Sequence, residues 1–378
     1  MPAKSNLKNE KFWLYLIAGV VIFVVVLVRL RLLGVALDRD EGEYGYIGQQ
    51  LLQGILPYTE SYTMKLPGIY MVFAAILGIF GETHTAIHFA LLLANLATAF
   101  LLFLLGRNLF NESTGIAAGV SFLVLTLSPS VQGFSAYAEN FVIFFAVGGL
   151  LLMRTAQEKE SQIRLFLSGI LLGFAFLTKQ QGVFFPMFGF FCCLFYFKNR
   201  AKNIKDFSLK AGTFALGGAT PFLLTVIIYW ATGNFDDFWF WTFEYASLYT
   251  SMVTLSKGVG NLIYKFNLIL DFNLPVVLLA LVGIASVAWN KSARSNYGFA
   301  LGFLLFSFLA TTPGFYFRQH YFILFIPAIA LFSGMGAASI LNRRSSYWLN
   351  LVIPLLIISS TWGYAFYKQK PILFDWTH

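Results

Sequence analysis

Residues 12–33 read FWLYLIAGVVIFVVVLVRLRLL, and eleven further apolar segments follow at 66–81, 84–105, 114–131, 138–153, 163–178, 182–197, 209–231, 273–289, 297–312, 320–341 and 346–366. About 20 apolar residues cross a bilayer core as a helix. Nothing else in the chain restricts its fold as strongly. The whole 378-residue chain is 58% hydrophobic and 11% charged, against roughly 25% charged in a soluble domain. It is an all-α polytopic membrane protein, read as one integral membrane domain over 1–378 with halves at 1–231 and 232–378 and no soluble domain. Residues 12–33 are too long, and lack a small-residue cleavage pattern, for a signal peptide. They read as a retained first membrane helix.

Charge orients the spans. The net charge of +9 belongs with cytoplasmic loops and gives no hint of nucleic acid. If 66–81 stays on the outer face, well over half of the 26 Lys and Arg residues lie inside and most of the 17 Asp and Glu residues outside. Were 66–81 to cross, the balance downstream would invert. The positive-inside rule therefore predicts about eleven crossings, a cytoplasmic N-terminus and an outer C-terminus. The paired cysteines Cys192 and Cys193 fall inside an apolar run, which excludes a disulfide scaffold and suits a buried structural pair. The sequons at 111–113 and 290–292 fall on the inner face and carry no weight.

The acids are unevenly spent. Asp38, Asp40, Glu41 and Glu43 crowd the start of the first outer loop, 34–65, in DRDEGEYGY. Tyr44, Ile47, Leu51 and Ile55 then recur at helical spacing, so the acids open an amphipathic helix expected on the membrane surface. Asp40 and Glu43 have the spacing of a capping box. Capping uses one or two acids, not four, and a carboxylate held at a helix start also suits acid–base work. Glu139 begins another apolar run. It is either a helix-start acid facing headgroups or a polar group of the same pocket.

Isolated cations share that face: Lys65 in TMKLPGIY, Lys179 with Gln180 in FLTKQQG, and Arg318 with His320 in GFYFRQHYF. A single such Lys is usually a snorkelling anchor. As a set they put cations and carboxylates at one membrane edge, whereas ion-coupled transporters place theirs near the midplane. Lys and Arg bind a phosphate through charge-assisted hydrogen bonds, and a carboxylate can take a proton from a hydroxyl. In the loop 232–271, Trp241, Tyr245, Leu248 and Met252 share a helical face, either an interfacial anchor or a sugar-binding surface.

Taken in order, these motifs resemble the polyprenyl-phosphate-sugar-dependent glycosyltransferases of the GT-C membrane fold, which include protein O-mannosyltransferases and lipid A aminoarabinose transferases. The resemblance runs over roughly residues 12–341. It rests on Asp40-Glu41 with Tyr44, on Lys65-Leu66-Pro67-Gly68, on Glu139, on Leu177-Thr178-Lys179, and on Arg318, His320, Tyr321 and Pro327. Lys-Leu-Pro stands where Lys-Pro-Pro is usual, and Glu139 where an Asp is common. No counterpart of the soluble C-terminal domain of some relatives is expected, so acceptor recognition is expected in membrane loops.

The resemblance implies sugar transfer from a polyprenyl-phosphate donor to a lipid, glycan or protein acceptor at the extracytoplasmic face of a plasma (inner) membrane. Asp40 would be the base. Lys65, Arg318 and Lys179 would hold the donor phosphate with Tyr44 nearby, and Glu41, Glu139, His320, Tyr321 and Gln180 would complete the site. Some relatives bind a divalent metal, for which Asp40, Glu41 and Glu139 are the available ligands. Users of lipid monophosphates usually do without, so no metal or other cofactor is expected. A lipid or polysaccharide flippase of the same composition would need a polar path through the membrane interior, which the sequence does not display. A catalytically dead scaffold would have no use for the acid and cation set.

Overall fold

The computed structural model describes residues 3–198, 200–201, 203–341 and 359–371. Among these, every regular element is helical. The helices are α1 Ala3–Arg31, α2 Arg39–Leu52, α3 Gly68–Phe80, α4 His84–Leu109, α5 Glu112–Thr126, α6 Ala138–Lys159, α7 Gln162–Thr178, α8 Phe184–Lys198 and α9 Ile204–Ala231. The short α10 Phe235–Trp239 and α11 Ala246–Thr250 follow, then α12 Leu255–Ala285, α13 Lys291–Arg294, α14 Tyr297–Leu309 and α15 Ile326–Leu341. Among the described residues, six stretches are long and apolar enough to span a membrane: Phe12–Gly34, His84–Leu109, Ala138–Lys159, Gln180–Lys198, Ile204–Ala231 and Leu255–Ala288. Five shorter apolar helices, α3, α5, α7, α14 and α15, accompany them. Of the expected segment 346–366, residues 346–358 lie outside the described residues; 359–371 are helical.

Two of the shorter helices, α5 and α15, are enclosed by protein. Every residue of α5 from Thr114 to Thr126 is buried, so this helix is apolar on all sides, as a central helix must be. On α1, Leu14, Ala18, Val21, Val25 and Val28 recur every three or four residues and are buried, while Phe12, Leu16, Val20 and Phe23 on the other face stay exposed. One stripe of α1 therefore packs on the bundle and the rest is left for lipid.

Lipid supplies no hydrophobic drive between helices, so close packing must hold them together. The contact of α12 with α15 shows how. A Cβ placed at Gly283 would overlap the carbonyl oxygen of Phe332, and one at Gly336 would overlap that of Leu279. Each glycine lets the opposing backbone approach. Gly283→Leu is expected to destabilise the chain by at least about 1–3 kcal/mol, read as a lowered midpoint of thermal unfolding in detergent. An unchanged midpoint would mean that this helix pair is loose.

The structure departs from the sequence reading in three places. The stretch 232–271, expected as a loop, is mainly helix: α10, a π-helical turn Phe240–Tyr245, α11, and the first half of α12. Pro275 and the non-helical Asn273 (φ −128°, ψ 18°) kink α12, which made its second half look like a separate span. Asn273 Nδ2 donates to Ser128 Oγ (3.0 Å) and Ser130 Oγ (3.2 Å), tying the kink to the turn before α6. Second, the first two residues of the apolar stripe of α2 pack on neighbouring helices. Tyr44 and Ile47 are buried with Ile69, Tyr70 and Phe73 of α3 and with Ile87 and Leu91 of α4. Third, the helix cap lies two residues earlier than expected, with consequences for the site.

Candidate active site

Asp38 is the N-cap of α2 and Glu41 completes the capping box. The Asp38 side chain accepts from Asp40 N (3.2 Å), and Glu41 Oε2 accepts from Asp38 N (2.8 Å). The expected pair, Asp40 with Glu43, does not cap. Asp38 and Glu41 satisfy the exposed N–H groups that every helix start presents, and this leaves the Asp40 and Glu43 carboxylates for other partners.

Asp40 is buried but sits at a cavity wall. Its Oδ1 accepts from Arg39 Nη2 (3.1 Å) and lies 3.8 Å from Lys65 Nζ. Burial alone would raise its pKa, but the positive charges of Lys65 and Lys179 override that and hold it below the ordinary carboxylate value. It is therefore ionised at neutral pH. Lys65 is itself fixed on several sides. Its Nζ donates to Glu43 Oε2 (2.8 Å) and lies 4.7 Å from the centre of the Tyr44 ring, and its carbonyl accepts from the Tyr58 hydroxyl (2.6 Å). Glu43 Oε1 in turn accepts from Thr63 Oγ1 (2.7 Å) and the Tyr70 hydroxyl (3.0 Å).

Lys179 ends α7 in an extended conformation, which turns its side chain toward the first turn of α6. There it forms a short ion pair with the fully buried Glu139, and its ammonium lies 4.7 Å from the centre of the Tyr321 ring. His320 stacks on Tyr137 with ring centres 4.1 Å apart. Burial and the nearby cations push His320 down to about 4, against the opposing pull of Glu139. The ring is neutral at pH 7, and its 4.0 Å approach to Glu139 is not an ion pair. Arg318 donates to the Tyr249 hydroxyl (2.6 Å), and Tyr249 stacks on Tyr316 at 4.8 Å. Gln180 Nε2 bridges the carbonyls of Met64 (2.6 Å) and Thr242 (3.2 Å).

Two cavities meet at these residues. One, of about 290 Å³, is lined by Asp40, Lys65, Lys179, Gln180, Arg318, His320 and Tyr321 together with Thr242 and Tyr249. The other, of about 450 Å³, is lined by Asp38, Gln132, Tyr137, Lys265 and Tyr316. Arg39, Asp40, Arg318 and His320 line both. Of the residues singled out in the sequence, Glu41, Glu43, Tyr44 and Glu139 line neither cavity, and nor do Trp241, Tyr245, Leu248 and Met252. Glu41 is spent on the cap, Tyr44 is the packed floor beneath Lys65, and Glu139 stands behind Lys179. Sequence reasoning gave Glu43 to the helix cap and passed over Tyr249, Tyr137 and Lys265. Glu43 was visible as a fourth acid beyond the needs of capping, whereas Tyr249, Tyr137 and Lys265 carry no sequence signal apart from their aromatic or basic type. Among the described residues, no three or more His, Cys, Asp or Glu side chains are grouped as a metal site would require.

The helical architecture is that of a GT-C fold, shared with the solved structures named below. Residues 65–230, somewhat under half of the chain, match the family model described as dolichyl-phosphate-mannose-protein mannosyltransferase. The structure is similar to ArnT from Cupriavidus metallidurans bound to undecaprenyl phosphate, with a TM-score of 0.57 and 12% identity over 94% of this chain and 77% of that one. It is also similar to the oligosaccharyltransferase AglB from Archaeoglobus fulgidus in complex with an inhibitory peptide and a dolichol-phosphate, with a TM-score of 0.56 and 11% identity over 92% of this chain. The chain spans 56% of the length of that archaeal protein. At such identities the likeness is one of fold. No curated protein matches the chain in sequence.

Proposed function

We propose that the chain transfers a sugar, of hexosyl or pentosyl type, from a polyprenyl-phosphate donor to an acceptor hydroxyl, by a single inverting displacement with Asp40 as base. The observation that carries this reading is the position of Asp40. It is an ionised carboxylate on the wall shared by two cavities, and only one of those cavities also holds Lys65 and Lys179 beside Arg318. The donor phosphate sits in the cavity with all three cations, and the acceptor approaches through the other. Asp40 takes the acceptor proton as the new bond to the anomeric carbon forms. The bond from that carbon to the phosphate oxygen breaks, and its electron pair stays on the phosphate. Lys65, Lys179 and Arg318 stabilise the charge that develops there. These three cations do the work that a divalent ion does elsewhere, so the reaction runs without a metal.

The match of residues 65–230 to a lipid-linked mannosyltransferase family and the undecaprenyl phosphate and dolichol-phosphate bound to the two structural neighbours support this donor class. The excess of basic residues in the inner loops supports an extracytoplasmic site and a cytoplasmic N-terminus.

Proteoliposomes holding the native chain, supplied with labelled polyprenyl-phosphate sugars and extracted envelope lipids and glycans, test the reading. Sugar is expected to move to a lipid, glycan or protein acceptor. Arg318→Gln is expected to raise the donor KM about 10- to 100-fold, the cost of losing a hydrogen bond to a charged group. Scrambling of lipid-linked sugar across the bilayer without transfer would replace this reading with that of a flippase.

A further inference from the structure

Behind the cavity wall lies a second buried ionic group that lines neither cavity. Glu41 is fully buried. Its Oε2 serves the α2 cap, while its Oε1 accepts from Ala136 N (2.5 Å) and lies 3.1 Å from His88 Nε2. His88, near the start of α4, is buried and turns its other nitrogen, Nδ1, toward the carbonyl oxygen of Leu33 at 3.3 Å. Leu33 belongs to the 3-10 turn Leu32–Gly34 between α1 and α2.

Both neighbours of the ring are acceptors only. A neutral imidazole has one N–H and one lone pair, so it would point the lone pair at an oxygen on one side or the other. An imidazolium satisfies both. The other charged group acting on His88 is Arg29 of α1. Arg29 donates to the carbonyls of Thr126 (3.2 Å) and Gly133 (3.3 Å). Glu41 is thus the anion that the ring matches.

We infer that His88 is a positioning residue that works as an imidazolium: through Glu41 it locks the α1–α2 turn, the start of α2 and the segment before α6 into one arrangement, and so aims Asp40 at the reacting centre. Two chain connections give this its reach. Asp40 precedes Glu41 directly, so pinning one carboxylate inward leaves the other at the cavity wall. Tyr137, which follows Ala136, carries the stacked His320. The inference rests on the reading of Asp40 as base. Its sign is definite: as pH rises through the His88 pKa, one N–H is lost, two oxygens face a ring with one donor, and transfer falls.

The test has two arms. The first is nitrogen NMR of the full-length chain in lipid nanodiscs, labelled in its four histidines, with His88→Gln identifying the resonance. Both ring nitrogens of His88 are expected to be protonated at pH 7; a neutral ring overturns the inference. This arm needs no activity, so it stays informative should Asp40 prove not to be the base. The second arm is kinetic. His88→Gln is expected to lower kcat about 10- to 100-fold, as for a misaimed reacting group, with the donor KM within about twofold. His88→Lys, which keeps a cation to higher pH, is expected to recover part of the rate and move the basic limb of the pH profile upward. An unchanged kcat in His88→Gln, or a basic limb that stays put in His88→Lys, overturns it.

Discussion

Asp40→Asn is expected to lower sugar transfer by about 10²–10⁴-fold, the range a positioned general base contributes, while the chain stays folded. Asn keeps the size of Asp and can still accept from Arg39. The α2 cap belongs to Asp38 and Glu41, so the helix start is untouched. Lys65 loses a carboxylate at 3.8 Å but keeps Glu43 at 2.8 Å. Donor KM should therefore move little, and the loss should fall on kcat. The native pH profile provides an independent check. Burial raises the Asp40 pKa, but Lys65 and Lys179 more than offset it and the net shift is downward. The active form is the carboxylate, so activity present at neutral pH persists down through the ordinary carboxylate range and is lost only as pH falls through the lowered pKa. Removing a cation weakens the offset. In Lys65→Met the acid limb is expected to move to higher pH. An Asp40→Asn variant that keeps more than about a tenth of the native rate would remove Asp40 from the base role, since that is below the smallest contribution of a general base.

The spans were legible because lipid imposes a simple rule: long apolar runs become helices that satisfy their own backbone. Where that rule met tertiary structure it gave less. The polar stretch of α12 around Asn273 and Pro275 broke the apolar run, and only packing against Ser128 and Ser130 shows that the helix continues through a kink. The cap register depended on a contact made 95 residues away, between Glu41 and Ala136 N. Local spacing alone fits Asp40 with Glu43 equally well. The cations and acids of the site could be named from the sequence because charge is costly near a membrane and so is seldom placed there idly. Their pairing could not. Nothing in FLTKQQG says that Lys179 meets Glu139 rather than Asp40, and nothing in SLYTS says that Tyr249 receives a hydrogen bond from Arg318. Aromatic residues are abundant here, 18% of the chain, so an aromatic that lines a cavity looks the same in sequence as one that faces lipid.

The Glu139–Lys179 pair separates structural from catalytic duty. Glu139 is fully buried and the Lys179 side chain is 11% exposed, so neither charge has much water to fall back on. Glu139→Ala leaves the ammonium without its anion and is expected to cost about 3–5 kcal/mol of stability, the range for removing one member of a buried pair, with transfer lost. That result alone would not separate an unfolded site from a disarmed one. The double variant Glu139→Leu with Lys179→Met does, because a buried pair replaced by apolar side chains of similar volume is often neutral or stabilising. Its unfolding midpoint is expected to return close to the native one. Its transfer rate is not, because Lys179 lines the cavity with Lys65 and Arg318, and an ammonium has three donors, of which Glu139 takes one. The remaining donors are free to meet a donor phosphate, which no methionine can do. A double variant that transfers sugar at the native rate would reduce the pair to a structural tie and leave Lys65 and Arg318 as the cations that hold the phosphate.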